Sequence, residues 1–225
     1  MAAIRISLYG DSMTEYLHRP PRALAQVLAN EAPGREFELF NYGIGATRAE
    51  LVLYRLRYEY WYGRERMVPL NILKPDVLVL ESCAFNNSSD QQAGLDNFIR
   101  IWDEIIADCR ELAPKALLLT CLTIPSSPHK PDERANRLFY HAGAEIFALR
   151  HHWRVIYQQA FADWAVHRSL PLVDLRHKVH EYESQGVPRS HWIAADGVHP
   201  NAMGVELIST EIAREVVRLC PEAAP

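Results

Sequence analysis

The chain has 225 residues, 48% of them hydrophobic, and a formal net charge of -4. Such a length and apolar fraction can bury one substantial core, so a single domain over 1–225 is expected. With net negative charge and no basic stripe, no nucleic-acid partner is expected.

The N-terminus, Met-Ala-Ala-Ile-Arg-Ile-Ser, has neither a basic stretch before an apolar run nor a small-residue cleavage site. As written it suggests a cytoplasmic protein, although a mature form with its leader removed would look the same. From Ala3 to Tyr9, apolar and β-branched residues stop at Gly10, which predicts a first buried strand. Pro20 and Pro21 then open a helix whose apolar face carries Leu24, Val27 and Leu28, and Pro33-Gly34 ends it. A second strand is predicted over Glu36–Phe40, stopping at the turn residues Asn41, Gly43 and Gly45.

From Ala46 to Tyr62 the spacing predicts one helix, with Leu51, Tyr54, Tyr58 and Trp61 or Tyr62 on a shared face. That aromatic face reads as packing in preference to an acyl or sugar site. Val77–Leu80 is a short apolar run suited to a central parallel strand. Gln91–Leu112 keeps the three-four helical spacing throughout, and Ala116–Leu122 is a fourth strand. Ile124–Pro131, with its prolines and serines, reads as a loop at that strand's carboxyl end, placed to act as a rim over a site.

A helical pattern runs from about Glu133 to His167 with a break near His151-His152, and Leu170–Leu175 is a fifth strand. A polar loop then leads to Asn201, and Val205, Ile208, Ile212, Val216 and Leu219 mark a final amphipathic helix. Nowhere do about 18 consecutive apolar residues occur, so no membrane span is expected. Cys83, Cys109, Cys121 and Cys220 are scattered without CxxC spacing, which favours buried free thiols over a zinc or dithiol site. His151-His152 and the pair His177 and His180 have no recognisable third ligand, so no metal site is expected. The histidines read as solvated or capping residues.

Five strand–helix alternations predict a parallel sheet covered by helices on both faces, an α/β fold. Ligands of such sheets bind beyond the carboxyl ends of the strands. Three polar segments end there: Gly10-Asp11-Ser12, the Asn41–Gly45 turn and Asn86-Asn87. A fourth, Asp196-Gly197-Val198-His199-Pro200, precedes the last helix.

Tyr9-Gly10-Asp11-Ser12 at one end and the D-x-x-H-P block Asp196–Pro200 at the other resemble the SGNH (GDSL) hydrolases in spelling, order and placement. The resemblance implies a three-layer α/β/α sandwich with a five-stranded parallel sheet, flavodoxin-like in topology. It also implies a serine esterase that needs no cofactor and acts on a small-molecule or carbohydrate ester. The chemistry suits these residue types. A serine hydroxyl must lose its proton to a nearby base as it attacks, a neutral imidazole can take it, and a carboxylate can orient the imidazole. Ser12 is thus the expected nucleophile, His199 its base and Asp196 the orienting acid. Ser12-Met13-Thr14-Glu15 also fits the S-x-x-E capping box, a structural role compatible with the catalytic one.

The family's oxyanion donors carry over to the Ser12 N–H, the Gly45 N–H and the Asn86 side chain. This chain spells both later blocks unusually. The second block commonly reads N-x-G-x-x-G, so Ala46 stays open beside Gly45; the third is usually G-x-N-D, so Asn87 stays open beside Asn86. Short acyl groups, acetyl especially, are preferred, because the crevice of such folds is shallow and no apolar lid segment is evident. Two alternatives remain: an acyltransferase to a sugar or other alcohol on the same triad, and a non-catalytic carbohydrate-binding or scaffold protein. The oligomeric state is not legible.

Overall fold

The first apolar run becomes β1 (Ile4–Gly10), and the chain turns at Asp11 into a single helical turn, α1 (Ser12–Glu15). There follow α2 (Arg22–Glu31), β2 (Phe37–Gly43), α3 (Ala49–Arg57), a hairpin of β3 (Tyr60–Tyr62) and β4 (Glu65–Met67), and α4 (Leu70–Leu73). The remainder comprises β5 (Val77–Glu81), α5 (Gln92–Leu112), β6 (Leu117–Leu122), α6 (Ala144–His167), β7 (Leu172–Asp174), α7 (Leu175–Ser184) and α8 (Ala202–Leu219). The structure, a computed structural model, describes residues 2–87, 89–128 and 144–221. The last residues of the expected rim loop and the start of the helix expected from Glu133 lie outside them.

The main sheet has the order β2-β1-β5-β6-β7, and every pairing in it is parallel. Each strand alternates its side chains between two cores. Leu78 and Leu80 pack with residues of α3, α5 and α6, whereas Val77 and Val79 pack with residues of α2, α7 and α8. Burial on both faces is why β5 reads as a continuous apolar run. Fully burying each such side chain contributes about 1.5–3 kcal/mol. The result is the expected three-layer α/β/α sandwich, with strand order reversing between β1 and β5. That reversal opens a crevice at the carboxyl ends of these two strands.

Four local expectations change. Ala46–Tyr62 is not one helix: α3 ends at Arg57, and Tyr60–Tyr62 pairs antiparallel with Glu65–Met67 around Gly63. Aromatic residues favour strands, and Gly63, at φ 60°, takes the left-handed conformation of the turn. Second, α6 passes through His151-His152 unbroken. Third, the segment after Leu175 is partly helical. Asp174 caps α7 by accepting the Arg176 N–H, and Leu175 and Val179 bury one face. Fourth, Asp11 and not Ser12 is the N-cap of α1, its carboxylate accepting the Met13 N–H at 2.8 Å.

Among the described residues, no helix is long and apolar enough to cross a membrane. Cys83, Cys109 and Cys121 are buried free thiols, and Cys220 is a half-buried one.

Candidate active site

β1 delivers Gly10, Asp11 and Ser12 to the crevice. Tight backbone packing there requires the glycine, since a Cβ on Gly10 would stand 2.1 Å from Thr14 Oγ1 and 2.7 Å from Glu81 Cβ. Beneath the strand ends, the Arg55 side chain, 1% exposed, donates to Gly10 O at 3.2 Å and to Tyr42 O, tying β1 to β2.

The Asp196–Pro200 segment arrives from the far end of the chain. Ser12 Oγ lies 3.0 Å from His199 Nε2, and His199 Nδ1 lies 2.6 Å from Asp196 Oδ2. The other carboxylate oxygen, Oδ1, accepts the N–H groups of Val198 and His199, both at 2.9 Å. Partial burial pushes the Asp196 carboxyl upward, but the His199 ring and these two N–H groups outweigh it and hold it below the usual carboxylate range. Tyr16 stacks on the imidazole, with ring centroids 4.4 Å apart and planes 6° from parallel. The loop is anchored in turn, because Ala194 donates to His199 O at 2.7 Å and Ser127 to Gly197 O at 2.8 Å. The ring is thus held from both nitrogens and one face.

Behind Ser12 sits a pair of buried carboxyl groups. Asp11 N–H donates to Glu81 Oε2 at 3.1 Å, and Glu81 Oε1 accepts from Ser82 Oγ and Cys83 N–H. Burial, then the neighbouring Glu81, drives the Asp11 carboxyl well above its ordinary range. Its Oδ2 accepts Asn86 Nδ2 at 2.7 Å, and the second hydrogen of that amide goes to Thr47 O at 2.8 Å.

The expected oxyanion donors therefore stand at the crevice with prior engagements. Gly45 N–H donates to Glu15 Oε2 at 2.7 Å, an acid that also lies 3.6 Å from Arg19 Nη1. Both hydrogens of the Asn86 amide are used, and the Asn87 amide closes its own turn on Cys83 O and Ala84 O. Ala46, in the last position of the N-x-G-x-x-G pattern, has φ 57°, the left-handed conformation that glycine favours. Ser12, as the first residue of α1, has an N–H with no intrahelical acceptor.

These groups line a cleft of about 590 Å³. Ser12, His199, Gly45, Ala46, Asn86 and Asn87 all border it, while Asp196 stands behind His199. Among the described residues, the rest of its wall was not legible as site residues: Tyr62 from the hairpin, Phe85, Val198, and the arginines Arg48, Arg150 and Arg154. Of the aromatic run assigned to packing, Tyr54, Tyr58 and Trp61 are exposed and Tyr62 reaches the cleft. Among the described residues, no group of three or more His, Cys, Asp or Glu could hold a metal ion. His151 Nδ1 lies 3.0 Å from Ser126 Oγ, and His177 lies 3.6 Å from Asp174.

A family model described as the GDSL-like Lipase/Acylhydrolase family matches residues 8–207. No curated protein matches the sequence. Among solved structures, the acetyl xylan esterase AlAXEase is 18% identical, with a TM-score of 0.65, covering 95% of this chain and 100% of its own. An acetylxylan esterase from Geobacillus stearothermophilus is 15% identical, with a TM-score of 0.63 and coverage of 96% and 94%. A lipase/acylhydrolase from Enterococcus faecalis is 19% identical, with a TM-score of 0.59 and coverage of 95% of both chains. At these identities the structural likeness speaks to the fold.

Proposed function

We infer the reaction from the premise that this chain belongs to the GDSL-like lipase/acylhydrolase family and is a carboxylic-ester hydrolase of the SGNH type. The reading is a two-step acyl transfer through Ser12. Its Oγ attacks the ester carbonyl carbon as His199 Nε2 takes the hydroxyl proton, and the tetrahedral intermediate collapses to an acyl-enzyme. The same proton leaves with the departing alcohol. Water then attacks the acyl-enzyme with His199 as base, releasing the acid and restoring Ser12. The observation that carries this reading is the continuous relay from Ser12 Oγ through the imidazole to Asp196, with links of 3.0 and 2.6 Å.

The negative oxygen of the intermediate needs donors placed in advance. The Ser12 N–H suits this role. Asn86 serves by releasing Thr47 O while Asp11 keeps the amide oriented. The commitment of Gly45 N–H to Glu15 moves the backbone contribution toward the Ala46 N–H.

Short acyl groups, acetyl first, are the preferred substrates. Phe85 and Val198 border the same cleft as Ser12 and His199, and two of the similar folds are acetylxylan esterases. A panel of p-nitrophenyl esters from acetate to palmitate tests the preference. kcat/KM should be highest for acetate or propionate and fall by about tenfold or more by octanoate. A rising profile toward palmitate would reject the short-acyl assignment.

A further inference from the structure

Among the described residues, three arginines border the cleft and no carboxylate does, although the chain as a whole is net negative. Arg48 is the N-cap residue of α3, and Arg150 and Arg154 stand one turn apart on α6. Arg48 and Arg150 are exposed at the rim. Arg154 is different, being 7% exposed with its guanidinium 5.3 Å over the Phe85 ring. Its Nε and Nη1 are buried and make no hydrogen bond among the described residues.

Burial of a charged donor without a hydrogen-bond partner is costly, and a ligand that accepts from it offsets that cost. The nearby acids do not fill that role. Asp196 is engaged by His199, and the two Asp11 carboxyl oxygens accept from Met13 N–H and Asn86 Nδ2. Burial, with Arg150 alongside, pushes the Arg154 guanidinium down to about 10, so it keeps its charge at neutral pH. A planar cation with open N–H groups, backed by an aromatic ring and flanked by two more cations, suits a carboxylate or a similar oxyanion.

We infer that the cleft selects esters carrying an oxyanion, a carboxylate foremost, which Arg154 binds directly while Arg48 and Arg150 attract it at the rim. The selection rests on the ester-hydrolase reading of the same cleft. It leaves open which side of the scissile bond bears the charge, so two matched pairs of probes are needed. One sets the p-nitrophenyl monoester of adipic acid against the corresponding ester of adipic monoamide, placing the charge on the acyl part. The other sets O-acetylated glucuronic acid against O-acetylated glucuronamide, placing it on the alcohol part. Each pair differs by one charge at nearly constant size.

In at least one pair, kcat/KM for the acid should exceed that for the amide by about tenfold or more at low ionic strength. Arg154→Gln should bring that ratio close to one. The double variant Arg48→Gln/Arg150→Gln, altered only at exposed positions, should lower the ratio and weaken its dependence on salt. This second variant carries the test if Arg154→Gln does not fold. Ratios at or below one in both pairs for the wild type would overturn the inference while leaving ester hydrolysis standing. So would a ratio unchanged in a folded Arg154→Gln or, failing that, in the double variant. Turnover of none of the four esters, nor of p-nitrophenyl acetate, would overturn the hydrolase reading and this inference with it.

Discussion

Ser12→Ala should lower kcat for p-nitrophenyl acetate by about 10⁵–10⁶-fold, with the fold intact. The side chain is half-buried at the start of α1, and its only hydrogen-bond partner in the relay is His199, so removing one oxygen leaves the packing in place. With the nucleophile gone, the imidazole can still activate water, but no acyl-enzyme forms. What persists is the modest acceleration from binding and oxyanion contacts, about 10³–10⁴ over the uncatalysed reaction. Steady-state rates of the two proteins, with thermal midpoints compared to confirm folding, make the check. A folded variant within tenfold of the wild type would remove Ser12 from the chemistry.

Asp196→Asn should cost about 10⁴ in kcat, for a reason visible in the hydrogen bonds. The oxygen that accepts the Val198 and His199 N–H groups can be replaced only by the amide oxygen, so the amide NH₂ must face His199 Nδ1. The imidazole then accepts at Nδ1 and carries its proton on Nε2, the nitrogen that must accept from Ser12. The same variant has a signature in stability. Because the folded Asp196 is held below its ordinary value, it adds stability that is present above the unfolded carboxylate value, about 3.9. That stability is lost as pH falls through the lower folded value. The wild type should therefore lose more stability than Asp196→Asn between neutral and strongly acidic pH, as thermal midpoints would record. Equal acid sensitivity of the two proteins would detach Asp196 from this role.

The parts of the site that were legible in the sequence are those written in short local blocks. Gly10-Asp11-Ser12 and Asp196–His199 each combine residue type with a fixed position beside a strand or helix. The parallel sheet brings them together whatever the intervening sequence. Strand periodicity located all five sheet strands for the same reason: burial on both faces leaves apolar runs that few other structures explain. The remainder of the cleft depends on tertiary placement. Arg150 and Arg154 keep helical i, i+4 spacing, but that spacing does not say which face looks into the crevice. Tyr62 was hidden because Tyr54, Tyr58 and Trp61 also fit helical spacing, and the turn at Gly63 converts the run to a hairpin. Glu15 and Glu81 were illegible as partners of Gly45 and Asp11, since each pairing joins segments distant in sequence.

The oxyanion assignments show the boundary between these cases. Motif carry-over put Gly45 and Asn86 at the crevice, and both border it. The hydrogen bonds that occupy them come from Glu15, Asp11 and Thr47, and no motif contains those three together.

The central claim is a covalent acyl transfer through one serine, and it is tested most directly by trapping that serine. Incubation with a p-nitrophenyl alkylphosphonate, followed by peptide mass spectrometry, should show one phosphonyl group per chain. The group should sit on the peptide containing Ser12, accumulating in step with loss of esterase activity and absent from Ser12→Ala. An enzyme that keeps hydrolysing p-nitrophenyl acetate with Ser12 fully modified, or whose inactivating adduct sits on another residue, would contradict it.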